Sequence, residues 1–175
     1  MGEAGDGGAL RLRPPTPDDE AAVMAGHRAM EADDFSFALG YGDTMTFADY
    51  LDYLERRRTS GEVSDDSVPA TFLLADVGGA VVGRVSIRHV LNDFLTHEGG
   101  HIGFGVLPGY RRRGYAGAIL DAALVQARGL GIDRALVTCD DDNVGSATVI
   151  ESRGGVLESL VDSTHGTRVR RYWIG

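Results

Sequence analysis

One segment constrains the fold more than any other, because it predicts a strand, a long helix and a second strand in direct succession. Residues 101–107 form an apolar run that ends at Pro108, which cannot donate to a strand ladder. Apolar residues then recur at intervals of three and four over residues 110–129, which predicts an amphipathic helix capped by Gly129. Residues 135–139 are a second apolar run and predict the next strand. This unit indicates an α/β fold.

Shorter elements flank this unit on both sides. Thr16-Pro17 and Thr46 each supply a capping hydroxyl at a helix start, and Val77-Gly78-Gly79 is typical of a hairpin turn. The other predicted elements are a strand over 10–12, a helix from Pro17 to about Met30, a helix over 47–58, strands over 71–76 and 80–89, a linker over 91–100, a short helix over 143–152, and strands over 155–161 and 168–173. Residues 1–8 are acidic and rich in glycine, which predicts a disordered tail before a single domain over 9–175.

Charge and composition limit the classes of partner. The formal net charge of -9 argues against a nucleic-acid partner, because neutralising phosphates needs a basic face, and it favours a cationic partner such as an amine. No stretch approaches the roughly 20 apolar residues that span a bilayer, and the start of the chain lacks the pattern of a secretory signal. The single cysteine, Cys139, excludes an internal disulfide and a cysteine-based metal site. We therefore expect a cytoplasmic protein with no membrane partner and no metal.

Arg111, Arg112 and Arg113 form a basic island in this acidic chain, and Gly114 and Ala116 follow them closely. A helix start exposes unpaired backbone N–H groups, and small residues let the backbone approach a phosphate. Three arginines at such a start oppose the helix dipole, so a ligand that offsets this cost is favoured over the alternative of a solvated helix start. The pattern predicts a pyrophosphate site.

Two other phosphate-binding motifs are excluded. The chain contains no Walker A sequence, so it is not a P-loop protein. No glycine-rich dinucleotide fingerprint stands between a strand and a helix, because Gly103 and Gly105 lie within the predicted strand.

The same segment resembles the acetyl-CoA-binding motif of the GNAT acetyltransferase superfamily. That motif has Gln or Arg, two residues, Gly, one residue, and Gly or Ala, and Arg111, Gly114 and Ala116 occupy its three defined places. Residues 143–155 resemble the second cofactor-contacting helix of the superfamily. Residues 87–92 and 99–104 are similar to a bacterial subgroup of predicted acetyltransferases.

The resemblance spans about residues 9–174 and implies a fold and a cofactor. The implied fold is α+β, with a mixed, mostly antiparallel sheet of about seven strands, a splayed central parallel pair and about four helices. Acetyl-CoA is the implied co-substrate, with its pantetheine arm between the strands over 101–107 and 135–139. The residues implied to contact it are Phe104, Val106, Arg111, Arg112, Arg113, Gly114, Tyr115, Ala116, Asn143 and Ser146.

Acetyl transfer to an amine needs a group that accepts the amine proton, and a donor for the negative charge that develops on the acetyl oxygen. A strand N–H near Val106 suits the second task. His101 stands where many GNAT relatives carry a glutamate base, and an ordinary imidazole pKa suits that role, although a histidine bonded to its neighbours is an equal alternative. Glu98 is the second candidate base. The tyrosine that serves as the usual acid in these relatives is replaced by Ile150, which leaves Tyr172 or a water molecule as substitutes.

Other residues have both a functional and a structural interpretation. Cys139 is interpreted as a small buried residue rather than a nucleophile. The acidic triplet over 140–142 either steers a cationic amine or forms an ordinary turn before a helix. Residues that either line the acceptor cleft or serve packing and capping are Arg88, His89, Asn92, Phe35, Phe37 and Tyr41.

Two functions therefore compete. The first is an N-acetyltransferase that moves acetyl from acetyl-CoA to a primary amine by direct attack, with a small-molecule or peptide amine as acceptor. The alternative is a non-catalytic acyl-CoA-binding sensor, which the isoleucine at the tyrosine position keeps open. A homodimer formed through an exposed C-terminal strand carrying Tyr172 and Trp173 is a further expectation.

Overall fold

A seven-stranded sheet lies at the centre of the computed structural model, which describes residues 8–175. Its strands are β1 (Arg11–Arg13), β2 (Ala70–Val77), β3 (Ala80–Arg88), β4 (Ile102–Val106), β5 (Ala135–Asp140), β6 (Val156–Asp162) and β7 (Arg168–Ile174). They follow the order β1-β2-β3-β4-β5-β7-β6, and only β4 and β5 run parallel. The predicted mixed sheet with a central parallel pair is confirmed. The predicted disordered tail lies outside the described residues, except for Gly8.

Four α-helices accompany the sheet: α1 (Glu20–Met30), α2 (Phe47–Thr59), α3 (Tyr115–Gly129) and α4 (Val144–Ser152). The Thr46 hydroxyl accepts the Asp49 N–H at 3.1 Å, and the Asp49 carboxylate accepts the Thr46 N–H in return. Ahead of α1, over a short 3-10 turn, the Asp19 carboxylate accepts both the Thr16 N–H and its hydroxyl, and the Asp19 N–H bonds the Thr16 carbonyl. Both predicted helix starts are confirmed, because caps of this kind depend only on neighbouring residues.

The helices cover the two faces of the sheet with separate apolar clusters. On one face Ile119 and Leu120 of α3 and Ile150 of α4 pack against the central strands. On the other face Val23 of α1 and Tyr50 of α2 pack with residues of β2. Within residues 8–175 no helix is long and apolar enough to cross a bilayer.

The structure differs from the sequence prediction at the start of α3. The helix begins at Tyr115 rather than at residue 110, because Arg112 and Gly114 adopt left-handed backbone conformations with φ of 61° and 80°. The three arginines thus lie in a loop before the helix, and the expected conflict with the helix dipole does not arise. The linker over 91–100 also contains structure, a single π-helical turn at Leu95–Gly99.

The C-terminal strand is not an edge of the sheet. β7 lies between β5 and β6, and Tyr172 is fully buried. The expectation that this strand pairs across a dimer is therefore wrong, since its backbone groups already bond to two neighbours. The edge at this end is β6, which exposes Val156 and Leu157.

Candidate active site

The parallel strands β4 and β5 separate soon after they meet. They pair at one register position, Ile102 opposite Val137. On its other side β4 bonds to β3, through the His101 carbonyl and the Leu107 N–H. Successive residues of a strand direct their backbone groups to opposite sides, so the N–H and C=O groups of Phe104 and Val106 point toward β5. Because β5 has diverged there, these groups open onto a gap.

His101 holds the closed end of this gap. The backbone N–H of His101 donates to the Leu136 carbonyl at 2.7 Å, and the ring Nδ1 accepts the backbone N–H of Leu136 at 2.9 Å. That second bond places the proton of a neutral ring on Nε2, so neither nitrogen is a free base. Burial, and then the charge of Arg88, lower the pKa of the imidazole. The ring packs edge-on to Trp173 and is buried. This arrangement favours a structural role over the catalytic role expected for His101.

The loop after β4 presents backbone donors at the mouth of the gap. Gly114 precedes α3 in a left-handed conformation and has no side chain to cap the helix. The first N–H groups of a helix have no partner within it, so those of Tyr115 and Ala116 remain available to an anion. Arg111, Arg112 and Gly114 are exposed, which leaves this turn open to a large ligand.

The three arginines of the loop have different surroundings. Nε of Arg111 donates to the Val106 carbonyl at 3.1 Å, and its Nη2 bonds the Asp33 carboxylate at 2.6 Å. Arg113 lies over the Tyr110 ring, with the guanidinium carbon 5.6 Å from the ring centroid. Arg111 therefore supports the loop, whereas Arg112 and Arg113 extend from it into solvent.

A cleft of about 290 Å³ lies in the open part of the gap. Phe104, Glu98, Asn143 and Ser146 all line it, so four of the residues expected at the site share one cavity. The Asn143 Oδ1 accepts the Ser146 N–H at 3.1 Å and caps α4, which fixes that helix against the cleft.

Glu98 reaches the cleft from the π-helical turn before β4. The Thr138 hydroxyl donates to its backbone carbonyl at 2.8 Å, and its carboxylate accepts the Thr164 N–H at 3.1 Å. These bonds attach the turn to β5 and to the β6–β7 hairpin. A half-buried carboxylate is thus held beside the end of β5.

The sequence profile of the Acetyltransferase (GNAT) domain matches residues 9–156. The chain belongs to the GNAT acetyltransferase family. The gap between β4 and β5 and the loop before α3 are the two regions in which the resemblance described above leads us to expect acetyl-CoA.

Solved GNAT structures share the fold over nearly the whole chain. The yncA protein of Salmonella typhimurium, solved with acetyl-CoA, has a TM-score of 0.65 at 18% identity, covering 95% of this chain and 93% of that one. A Salmonella typhimurium acetyltransferase that modifies the N-terminal serine of a 50S ribosomal subunit protein has a TM-score of 0.68 at 17% identity, covering 94% of both chains. Mycobacterium smegmatis RimJ, solved with a coenzyme A disulfide, has a TM-score of 0.71 at 18% identity, covering 95% and 82%. No curated protein sequence matches significantly.

Neither Ile150, at the position of the family's usual acid, nor the candidate substitute Tyr172 supplies an acid at the cleft. Ile150 is fully buried in the core under α4. The Tyr172 hydroxyl donates to the Glu151 carboxylate at 2.8 Å, and burial raises the pKa of that hydroxyl. Neither side chain lines the cleft.

Large groups cover the glycines of β4 on one face of the strand. A Cβ on Gly103 would lie 3.0 Å from Nη1 of Arg88, and one on Gly105 would lie 2.6 Å from the Phe35 ring. Arg88 and Phe35 thus cover the strand on the side of α1 and α2, and both line the cleft. A side chain at position 105 would displace the Phe35 ring, and one at position 103 would push the end of Arg88 aside.

Sequence reasoning missed Arg84. It is buried on β3, with its guanidinium carbon 4.2 Å from the Phe35 ring centroid. Its nitrogens donate to the backbone carbonyls of Phe37, Ser36 and Gly103. The available signal was an arginine in the middle of a largely apolar strand, since an arginine is rarely fully buried unless its charge is paired.

The remaining candidates divide between packing and the cleft. His89 bonds the Thr71 hydroxyl, Asn92 caps the turn at Leu95, Phe37 is in the core, and the Tyr41 hydroxyl donates to the Met45 carbonyl.

Cys139 lines the cleft, but burial raises the pKa of its thiol to about 11, which leaves it a poor nucleophile near neutral pH. Of the acidic triplet, Asp141 pairs with Arg170 at 2.7 Å and Asp140 faces the cleft.

Proposed function

We propose that this protein transfers acetyl from acetyl-CoA to a primary amine by direct attack of the amine. The observation that carries the proposal is the gap between β4 and β5, where backbone groups of Phe104 and Val106 lack a strand partner and a carboxylate stands beside the opening. Relatives with this fold include proteins solved with acetyl-CoA or coenzyme A, and one that modifies an N-terminal serine amine.

The residues present fit acetyl-CoA. Unpaired backbone groups at Phe104 and Val106 suit the amides of a pantetheine arm, and the Val106 N–H is available because only its carbonyl is engaged. The free N–H groups at the start of α3, with Arg112 and Arg113 beside them, suit a pyrophosphate. When bound, acetyl-CoA supplies the acetyl thioester. Ser146 and the side chain of Asn143 face the same cavity from α4.

Glu98 is the group that we expect to accept the amine proton, directly or through a water molecule. Glu98 lines the cleft, whereas His101 lies outside it, with Nδ1 accepting the Leu136 N–H and the proton of a neutral ring on Nε2. General base catalysis contributes about 10²–10⁴-fold to such reactions. No side chain at the usual position can protonate the departing thiolate, because Ile150 cannot donate a proton. That observation favours the alternative of an acyl-CoA sensor.

Thiol release from acetyl-CoA, measured over a panel of primary amines, tests the proposal. We expect turnover with at least one amine, and a fall in kcat of about 100-fold or more in Glu98→Gln while coenzyme A still binds. Tight coenzyme A binding without thiol release for any amine would instead support the sensor.

Calorimetry with coenzyme A tests the phosphate site separately. Arg113→Glu and Gly114→Asp should each weaken binding at least about tenfold, because they place negative charge beside the pyrophosphate. The matched control is Arg56→Glu, an exposed position on α2. Affinity for coenzyme A equal to that of the control in Arg113→Glu and Gly114→Asp would contradict the assigned site.

A further inference from the structure

Two neighbouring arginines on β3 lack a carboxylate partner. Arg84 and Arg88 are four residues apart on the strand, so their side chains lie on the same face. Arg84 is buried and Arg88 is half-buried. The acidic side chains of residues 8–175 form ion pairs with seven other arginines, but none comes within 4 Å of either guanidinium. This is unusual in a chain whose net charge is -9.

The two guanidiniums differ in how far their donors are used. Arg84 donates to three backbone carbonyls and lies against an aromatic ring, so its role is to support the cleft wall. Among the described residues Arg88 makes one hydrogen bond, from Nη1 to the Gly99 carbonyl at 3.3 Å. An arginine carries five N–H groups, so most donors of Arg88 remain available at the cleft.

Keeping this charge away from water is unfavourable without an anion. Burial, followed by the neighbouring charge of Arg57, lowers the pKa of Arg88, and burial with the charge of Arg88 lowers that of Arg84. Both side chains stay protonated at neutral pH, because an arginine does not lose its proton in proteins. A ligand that brings a negative charge to Arg88 would offset this desolvation.

The cleft is also polarised. Arg88 faces it from β3, while Glu98 and Asp140 face it from the side of β5. The positive and negative groups share the cavity without pairing. A molecule with an amine at one end and an anion at the other matches this arrangement.

We propose that the acceptor is a small amine that carries an anionic oxyacid group, an α-amino acid or a close analogue, with its anion on Arg88 and its amine beside Glu98. The planar guanidinium fits a carboxylate best, although a phosphonate offers the same chemistry. The inference rests on the proposed acetyltransferase function. In the reaction the amine nitrogen bonds to the acetyl carbon as the carbon–sulfur bond breaks. The bound ammonium group gives one proton to Glu98 and becomes the neutral nucleophile. After attack the nitrogen loses its second proton, directly or through water, to the departing thiolate, and the products are an N-acetyl amino acid and coenzyme A.

Matched acceptors test this assignment. Thiol release from acetyl-CoA is measured with common α-amino acids, with their carboxamides and with the corresponding aminophosphonates. We expect kcat/KM for the best anionic amine to exceed that for its carboxamide at least about 30-fold, since the amide leaves the guanidinium unpaired. Whichever of the carboxylate and the phosphonate gives the higher kcat/KM identifies the anionic group of the acceptor. Equal or greater activity on carboxamides or simple alkylamines would overturn the proposal.

Three variants assign the preference to one side chain. Arg88→Gln should remove most of this preference through KM, lowering kcat/KM for the anionic amine at least about tenfold more than for its carboxamide, and Arg88→Lys should lie between because it keeps the charge but not the planar guanidinium. Arg56→Gln, an exposed arginine on α2, is the matched control and should change neither value. Equal losses on both substrate classes in Arg88→Gln would also overturn the proposal.

Binding of the N-acetyl amino acid product to coenzyme A-saturated protein separates this inference from the function it rests on. Wild-type protein should bind the product at least about tenfold more tightly than Arg88→Gln does. Product binding without turnover would contradict the acetyltransferase function alone. Turnover of amines, together with equal product affinity in the wild-type protein and in Arg88→Gln, would contradict the anionic acceptor alone.

Discussion

At the scale of single residues, Gly103 and Gly105 determine what the cleft contains. Each lies beneath a large group. A Cβ on Gly103 would lie 3.0 Å from the end of Arg88, and one on Gly105 would lie 2.6 Å from the Phe35 ring. Because neither glycine has a side chain, the Arg88 guanidinium and the Phe35 ring can approach the backbone of β4. The acceptor side of the site is therefore built on two positions whose only contribution is space.

His101→Ala tests whether the histidine is structural. The variant leaves the Leu136 N–H without its acceptor in a buried position, so we expect the free energy of unfolding to fall by about 1–3 kcal/mol. The shape of the pH–rate profile should not change. Urea unfolding and the pH dependence of thiol release check the two parts.

His101→Gln is the conservative control, because an amide oxygen can accept the same N–H. It should recover part of the lost stability. A variant that keeps wild-type stability but loses 100-fold or more in kcat, together with one limb of the pH profile, would identify His101 as a base after all.

At the scale of elements, Arg13 joins three parts of the fold. From β1 its guanidinium bonds the Asp76 carboxylate of β2 at 2.9 Å and both oxygens of Asp19, at the entry to α1, at 2.8 Å. Both carboxylates are buried. The short edge strand β1 thus owes its position to charge pairing as well as to three backbone partners.

Arg13→Met should destabilise the protein by about 3 kcal/mol, because it leaves two buried carboxylates without their partner. Urea unfolding at neutral pH gives the value. Arg11→Met is the matched control on the same strand. Its side chain is 70% exposed and 3.7 Å from Asp76, so its loss should cost less than about 1 kcal/mol. Equal effects would show that the buried network does not stabilise the fold.

The same network makes stability depend on acid. The hydrogen bond from Arg13, acting against burial, holds the pKa of Asp19 at about 2, below its ordinary value of 3.8. A lowered pKa in the folded state stabilises it above the unfolded pKa. This contribution is therefore complete above about pH 4 and is lost as the pH falls toward 2. Arg13→Met should flatten the decline of unfolding free energy over that interval.

At the scale of the whole molecule, the sheet consists of two parts joined at one point. β1 to β4 form one antiparallel part and β5, β7 and β6 the other, and their strands pair at Ile102 and Val137 alone. α3 crosses from one part to the other, as connections between parallel strands require. A ligand in the gap would complete the interrupted ladder.

Amide hydrogen exchange with and without coenzyme A tests this description. Saturation at 100 times Kd stabilises a protein by about 2.7 kcal/mol, which slows exchange of amides that open only by global unfolding. We expect the amides of Phe104 and Val106 to gain at least about tenfold protection through local binding. Val85 in β3 is the internal control and should respond to the global term only. Unchanged exchange at the two β4 amides would place the pantetheine arm elsewhere.

Features that depend on neighbouring residues were predictable. The caps at Thr16 and Thr46, the period of α3 and the order of elements follow from interactions within a few residues, so the sequence alone indicated them. The fold class followed from that order together with the GNAT motif at Arg111, Gly114 and Ala116. The start of α3 was wrong because an arginine at φ 61° has no signature in sequence.

By itself, then, the sequence determined the family and the fold class, since the motif and the order of elements depend on local spacing. The pyrophosphate site at Arg111, Gly114 and Ala116 stays a prediction. Only the tertiary structure decided that His101 joins two strands while Glu98 and Arg88 face one cleft. The contacts concerned connect positions far apart in the chain, 35 residues for His101 with Leu136 and 47 for Arg84 with Phe37. Such contacts depend on sheet order and register, which arise when all the strands pack together.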